Sequence, residues 1–181
     1  MLNVVEKVLV TQEEIVKRSI ELGKEITEDY KQANEIPLVV GLLKGSVPFM
    51  AELMKHIDLD FQFDFMDVSS YEGTESIGDI RIMKDLDISV KGLSILLVED
   101  IVDTGRTLKE VRRMLLNKGA KEVKIVSLLD KPERRVVEVD ADYVGFTIPN
   151  EFVIGFGLDY NQKYRNLPYV GVLKKEIYTE E

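Results

Sequence analysis

Leu93-Ser-Ile-Leu-Leu-Val-Glu-Asp-Ile-Val-Asp-Thr-Gly-Arg-Thr107 is the stretch whose reading decides the fold. It opens as an apolar run, Leu93 to Val98, of the length expected for a strand buried on both faces. It turns acidic at Glu99 and Asp100, and Asp103, Thr104, Gly105, Arg106 and Thr107 follow. Leu108, Val111, Met114 and Leu115 then recur at helical spacing. The order is buried strand, acidic and hydroxyl-rich loop, helix N-terminus. Open α/β sheets take ligands outside the carboxyl ends of their strands. A helix N-terminus offers unpaired N–H groups and the positive end of its dipole, which suits a phosphate. Gly105 lets the backbone approach that phosphate, and Thr104 and Thr107 add hydroxyl donors. Glu99 and Asp100 suit sugar hydroxyls, or Mg²⁺ held through water. Taken singly, each residue has an ordinary explanation: Asp103 or Thr104 can cap the helix, and an acidic pair can be a solvated strand end. The whole string does not, because three carboxylates within five positions repel one another and folding alone does not call for them.

Composition sets the outer bounds. The 181 residues fit one domain with a full core, and 45% hydrophobic content is ordinary for a globular chain. No apolar run approaches the ~18 residues of a membrane span. The first residues lack the basic-then-apolar pattern of a signal peptide. With no Cys there is no disulfide framework and no thiolate chemistry. A cytoplasmic protein fits. The net charge of −9 argues against a general nucleic-acid binder. It also means that any phosphate-rich ligand needs local Lys, Arg and N–H donors, with Mg²⁺ bridging carboxylates and phosphates.

Outward from the central stretch, strands and helices alternate. Thr11-Gln-Glu-Glu14 has capping-box spacing, and Ile15, Ile20, Leu22 and Ile26 predict an amphipathic helix to about Ala33. Pro37-Leu-Val-Val-Gly-Leu-Leu43 reads as a buried strand ending in Lys44-Gly45-Ser46, with a helix from about Val47. His56, the only His, sits near a helix end, where a solvated position is expected. Leu59, Phe61, Phe63 and Phe65 alternate with polar residues, predicting a strand whose apolar face is core. That strand continues to Ser70-Tyr71, passes a polar tip and returns over residues 79–85, a long mobile hairpin suited to a lid over 69–80. Gly119 fits a helix C-cap, and Glu122 to Leu129 is the next strand. The pattern from 37 to 129 indicates βαβ units and a parallel sheet. Beyond it, Gly145, Gly155 and Gly157 among aromatics suggest tight strands, in a small hood built from the C-terminal segments and the N-terminus.

Val98-Glu-Asp-Ile-Val-Asp-Thr-Gly-Arg-Thr107 resembles the phosphoribosyl pyrophosphate (PRPP) motif of the type I phosphoribosyltransferases. Leu42-Leu-Lys-Gly45, Ser69-Ser-Tyr71, Leu129-Asp-Lys-Pro132, Asp142-Tyr-Val-Gly-Phe146, Ile148-Pro-Asn-Glu-Phe-Val153, Gly157-Leu-Asp-Tyr160 and Tyr164-Arg-Asn-Leu-Pro168 resemble, in the same order, the bacterial-type hypoxanthine-guanine phosphoribosyltransferase family. The resemblance spans roughly residues 8 to 175. It implies one α/β domain over 1–181: a twisted, mainly parallel core sheet over about 37–130, hood and base-binding segments over about 1–10 and 131–181, and the lid.

The resemblance also implies an activity, transfer of 5-phosphoribosyl from PRPP to N9 of hypoxanthine or guanine with release of pyrophosphate, giving IMP or GMP. PRPP is expected on Lys44, Gly45, Glu99, Asp100, Asp103, Thr104, Gly105, Arg106, Thr107 and Arg165, with Ser70 and Tyr71 as the lid's working residues. Lys131, Phe152, Val153 and Asp159 are expected around the base, with Mg²⁺ at Glu99, Asp100 and Asp159. Asp103 and Lys131 carry the catalytic expectation: Asp103 as proton partner of purine N7, and Lys131 as donor to O6, which a 6-amino purine would oppose with its own donors. By their residue types alone, Phe152 and Val153 read equally well as core and Lys131 as a surface lysine. Arg106 fills a variable position of the motif, and Asn150 stands where relatives often carry Asp. A homodimer or homotetramer is expected. The alternative is a non-catalytic nucleotide- or PRPP-sensing regulator of the same fold, disfavoured by the charge of −9 and the absence of a basic stripe.

Overall fold

The structure, a computed structural model, describes residues 2–70 and 80–179. Strand β1 (Val5–Val10) leads into helix α1 (Gln12–Ala33). The capping box forms: the Thr11 hydroxyl accepts from Glu14 N at 3.2 Å, and the Glu14 carboxylate accepts from Thr11 N at 2.8 Å. Two of the helix's orphan N-terminal donors are thereby satisfied. The helix stops at Asn34, a left-handed residue with φ 54°. Its buried stripe is Ile15, Leu22, Ile26 and Tyr30.

The chain continues through β2 (Leu38–Leu43), α2 (Val47–Leu53), β3 (Gln62–Ser70), β4 (Ile80–Lys84), β5 (Ser94–Val102), α3 (Arg106–Asn117), β6 (Glu122–Asp130) and β7 (Tyr143–Thr147). These strands form one sheet in the order β4-β3-β2-β5-β6-β7. Every neighbouring pair is parallel except β3–β4, which is the antiparallel hairpin. A second, antiparallel sheet, β1-β9-β8, joins the N-terminus to β8 (Val153–Ile154) and β9 (Val170–Leu173), and α4 (Lys175–Tyr178) follows. This is the expected α/β arrangement with its small hood.

Strand β5 lies between β2 and β6, so both its edges are paired, and helices cover both its faces, which explains its unbroken apolar run. Leu96 and Val98 pack with Val39, Phe49 and Ile15 under α1 and α2. Ile95 and Leu97 pack on the other face with Val40, Leu108, Val111 and Leu115 of α3. Each such side chain contributes roughly 1.5–3 kcal/mol when fully buried, so the strand carrying the acidic loop is among the best anchored in the molecule.

Two expectations need correction. The main sheet does not end near residue 130, because β7 pairs in parallel with β6 and belongs to it. The aromatic face of β3 is only partly core: Phe61 and Phe65 pack against the core, but Phe63 stays 55% exposed, edge-on to Phe65. The reason is position. Helices α1 and α2 make their main contacts with β2, β5 and β7, and β3 lies towards the sheet margin. Ser70 closes β3 opposite Ile80. Tyr71 and the rest of the expected lid tip, residues 71–79, lie outside the described residues.

Candidate active site

The strand order places a crevice between β2 and β5, because the sheet is built outward in opposite directions from these two strands. Lys44 and Gly45 follow β2, while Glu99 and Asp100 close β5. The two loops touch: a Cβ on Gly45 would collide with the Asp100 carboxylate. A third loop meets them, since Gly157 has φ 103° and a Cβ there would collide with the Gly45 carbonyl. Both glycines are required by close backbone approach.

The helix that follows β5 starts at Gly105, φ 81°, with no side-chain cap. Neither Asp103 nor Thr104 caps it, so the ordinary explanation of those residues fails. A hollow of about 110 Å³ sits here, lined among others by Glu99, Asp103, Thr104, Gly105 and Thr107. The adjacent pair Glu99 and Asp100 is strained electrostatically. Glu99 is half-buried, its Oε2 has no partner among the described residues, and desolvation with the neighbouring Asp100 holds its carboxyl well above the usual range. Burial pushes Asp100 up to about 6, against the opposing pull of the Ile101 N–H at 2.7 Å and of Arg165, with Asp159 adding to the rise. Groups in this state favour an arriving cation or hydroxyl donors.

A larger cavity of about 470 Å³ adjoins it. Asp100, Ile101 and Asp103 form one side, Lys131 and Arg134 another, and Asn150, Glu151, Phe152, Val153, Leu158, Asp159 and Tyr178 the rest. Lys131 follows β6 and is only 7% exposed. Its ammonium makes no hydrogen bond or ion pair among the described residues. Burial lowers its pKa, and Asp103 acts in the opposite direction. Phe152 is 39% exposed, so it is not core. Tyr178 stacks on it at 5.1 Å, and Tyr160 meets it nearly perpendicular at 5.8 Å. Val153 lies in β8 and is buried, so its core role also holds. Asp159 pairs with Arg165 at 2.9 Å and accepts from Gln162 N at 2.8 Å, while Arg165 donates to the Gly157 carbonyl at 2.7 Å. Arg134 Nε donates to Asp103 Oδ1 at 3.0 Å.

A model of the phosphoribosyl transferase domain family matches residues 7–161. The hypoxanthine-guanine phosphoribosyltransferase of Lactococcus lactis is 60% identical over 177 residues, 97% of this chain and 95% of that protein. That of Streptococcus pyogenes is 55% identical, covering 97% of each chain. The crystal structure of a hypoxanthine phosphoribosyltransferase from Staphylococcus aureus superposes with a TM-score of 0.91 at 49% identity, covering 98% of this chain and 96% of that one.

The chain belongs to the hypoxanthine-guanine phosphoribosyltransferases, PRPP-dependent transferases of purine salvage. In this phosphoribosyltransferase the expected residues fall into three places. Asp100, Asp103, Lys131, Phe152, Val153 and Asp159 share the large cavity. Glu99, Asp103, Thr104, Gly105 and Thr107 share the small one. Lys44, Gly45, Arg106 and Arg165 line neither, although Gly45 and Arg165 reach Asp100 as described, and Arg106 is exposed on α3. Sequence reasoning missed Ile101, Arg134, Glu151, Leu158 and Tyr178. Ile101 was readable, being flanked by the acidic motif. Arg134 and Tyr178 carried no local pattern and enter only through a 3₁₀ turn after Lys131 and through the C-terminal helix. Among the described residues no three metal-ligating side chains converge, and no helix is long and apolar enough to cross a membrane.

Proposed function

We propose that the enzyme transfers the 5-phosphoribosyl group of PRPP to N9 of hypoxanthine or guanine, giving IMP or GMP and pyrophosphate. One observation carries this reading: the 470 Å³ cavity joins Asp103 of the donor loop to a buried Lys131, unpartnered among the described residues, and the exposed ring of Phe152. Lys131 donates to purine O6, which adenine cannot accept. Phe152 stacks on the ring, and the Val153 backbone reads the base edge. The N–H groups at the start of α3, with Thr104 and Thr107, hold the 5′-phosphate. Glu99 and Asp100 hold the ribose hydroxyls. Lys44, Gly45 and Arg165 face the pyrophosphate, and Ser70 and Tyr71 close the lid.

In the transfer the C1′–O bond to pyrophosphate breaks and the N9–C1′ bond forms. The N7 proton passes to Asp103, whose Oδ2 is left open while Arg134 occupies Oδ1. Exclusion of water and positioning supply the remainder. Mg²⁺ fits the donor set: the orphaned Glu99 Oε2 and the destabilised Asp100 carboxylate gain from a cation. Since Glu99, Asp100 and Asp159 do not converge on one point, they would hold it largely through retained waters, as this ion prefers, and it would neutralise charge on the departing pyrophosphate. The working unit is the whole 1–181 domain in the cytoplasm, as a homodimer or homotetramer.

The test is pyrophosphate release from PRPP with hypoxanthine, guanine, xanthine and adenine, each with and without chelator. Chelator-sensitive turnover of hypoxanthine and guanine, with adenine inert, is expected. Turnover of adenine but not hypoxanthine would overturn the base assignment, and activity in chelator would remove Mg²⁺.

A further inference from the structure

Resting on the function just proposed, we infer that Arg135 is a positioning residue that couples the PRPP loop to the purine site. Its guanidinium bonds to three elements at once. Nε donates to the Asp103 carbonyl at 3.2 Å, one terminal nitrogen donates to the Val139 carbonyl, and the other pairs with Asp130. The Arg135 and Asp130 side chains are 14% and 21% exposed. Asp103 belongs to the donor loop, and Asp130 is the residue before Lys131. One planar fork therefore bridges the two substrate walls, and only Arg has donors fixed in that geometry.

Its neighbours reinforce the link. Val136 N donates to the Thr104 carbonyl at 3.1 Å, and Lys131 N to the Val102 carbonyl at 3.0 Å. A Cβ on Gly105 would collide with Val139 and come within 3.0 Å of Arg135 Cδ. The segment after Lys131 thus lies directly against the phosphate loop, and that loop cannot shift without moving Lys131. A buried ion pair is a weak source of stability, because desolvation offsets its attraction. Contiguous hydrogen-bond networks of this kind are one physical route for coupling between sites. PRPP binding on the loop then sets Lys131 for the purine, and by linkage the purine tightens PRPP by the same factor.

The experiment measures, by calorimetry on the full chain with Mg²⁺, the affinity for 9-deazaguanine, whose carbon at position 9 blocks transfer, with and without saturating PRPP. The wild-type ratio is expected in the ~5–150-fold range of ordinary site coupling. In Arg135→Gln the ratio falls to within about twofold of 1. Arg135→Lys keeps the charge but not the fork, and also loses the coupling. Asp130→Asn, which keeps the side-chain shape, gives an intermediate ratio and serves if the Arg135 variants do not fold. A merely structural role would lower the thermal midpoint and leave the ratio unchanged. A folded variant with the wild-type ratio, or a wild-type ratio of 1, overturns the coupling. Failure of the wild type to bind PRPP or the analogue overturns the proposed function instead.

Discussion

The donor half and the base half of the proposed site are built in opposite ways. The donor half is contiguous: Glu99 to Thr107 run from the end of the central strand into the first turn of α3. The base half is gathered from Lys131 after β6, Phe152 and Val153 entering β8, and Tyr178 of the C-terminal helix. A phosphate and a ribose can be held by one strand–loop–helix, because a helix start supplies several aligned donors at once. A flat purine needs a face, an edge and an O6 donor from different directions, which no single loop supplies.

The contrast can be broken most severely at Asp103, the one acidic residue among the two, Ile101 and Asp103, that line both cavities. Asp103→Ala is expected to lower kcat by about 10²–10⁴-fold, as for loss of a positioned proton acceptor, and to weaken PRPP binding far less. Equal losses in both would count against proton handling. Phe152→Ala should raise the hypoxanthine KM by about 5–150-fold, from the ~1–3 kcal/mol of a base–aromatic stack, and steady-state kinetics would check that the PRPP KM moves little. Gly105→Ala acts on the other half. Its φ of 81° costs an L-residue ~1–2 kcal/mol, and the new Cβ meets Val139. The expected result is a PRPP KM raised by about 5–30-fold.

The smallest effect is a pH dependence. Burial holds the Lys131 amine below its ordinary 10.5, so the ammonium is lost at a lower pH than for a free lysine. Hypoxanthine kcat/KM should therefore decline as pH rises, with a midpoint below 10.5. Lys131→Arg, which does not titrate there, should lack that limb; an unchanged limb would assign it to another group.

The same contrast explains what was legible. The apolar run of β5, the capping box at Thr11 and the loop that carries the acid–hydroxyl string into α3 are local patterns with local causes, and each of these elements stands in the structure as read. Lys131 and Phe152 had stronger ordinary explanations as surface and core. Only tertiary placement reverses them, burying the lysine and exposing the ring. Phe63 shows the converse: a period-2 pattern gives a face, but the helices that cover it are placed by the rest of the sheet. Arg135 was silent because its meaning lies in three acceptors, at residues 103, 130 and 139, that meet only after folding.

The most direct measurement of the two-half account is a crossed determination of both KM values in Gly105→Ala and Phe152→Ala under identical Mg²⁺. The account predicts that the first variant raises chiefly the PRPP value and the second chiefly the hypoxanthine value. If both variants raised the same KM, the division of the site into a contiguous donor half and an assembled base half would be contradicted.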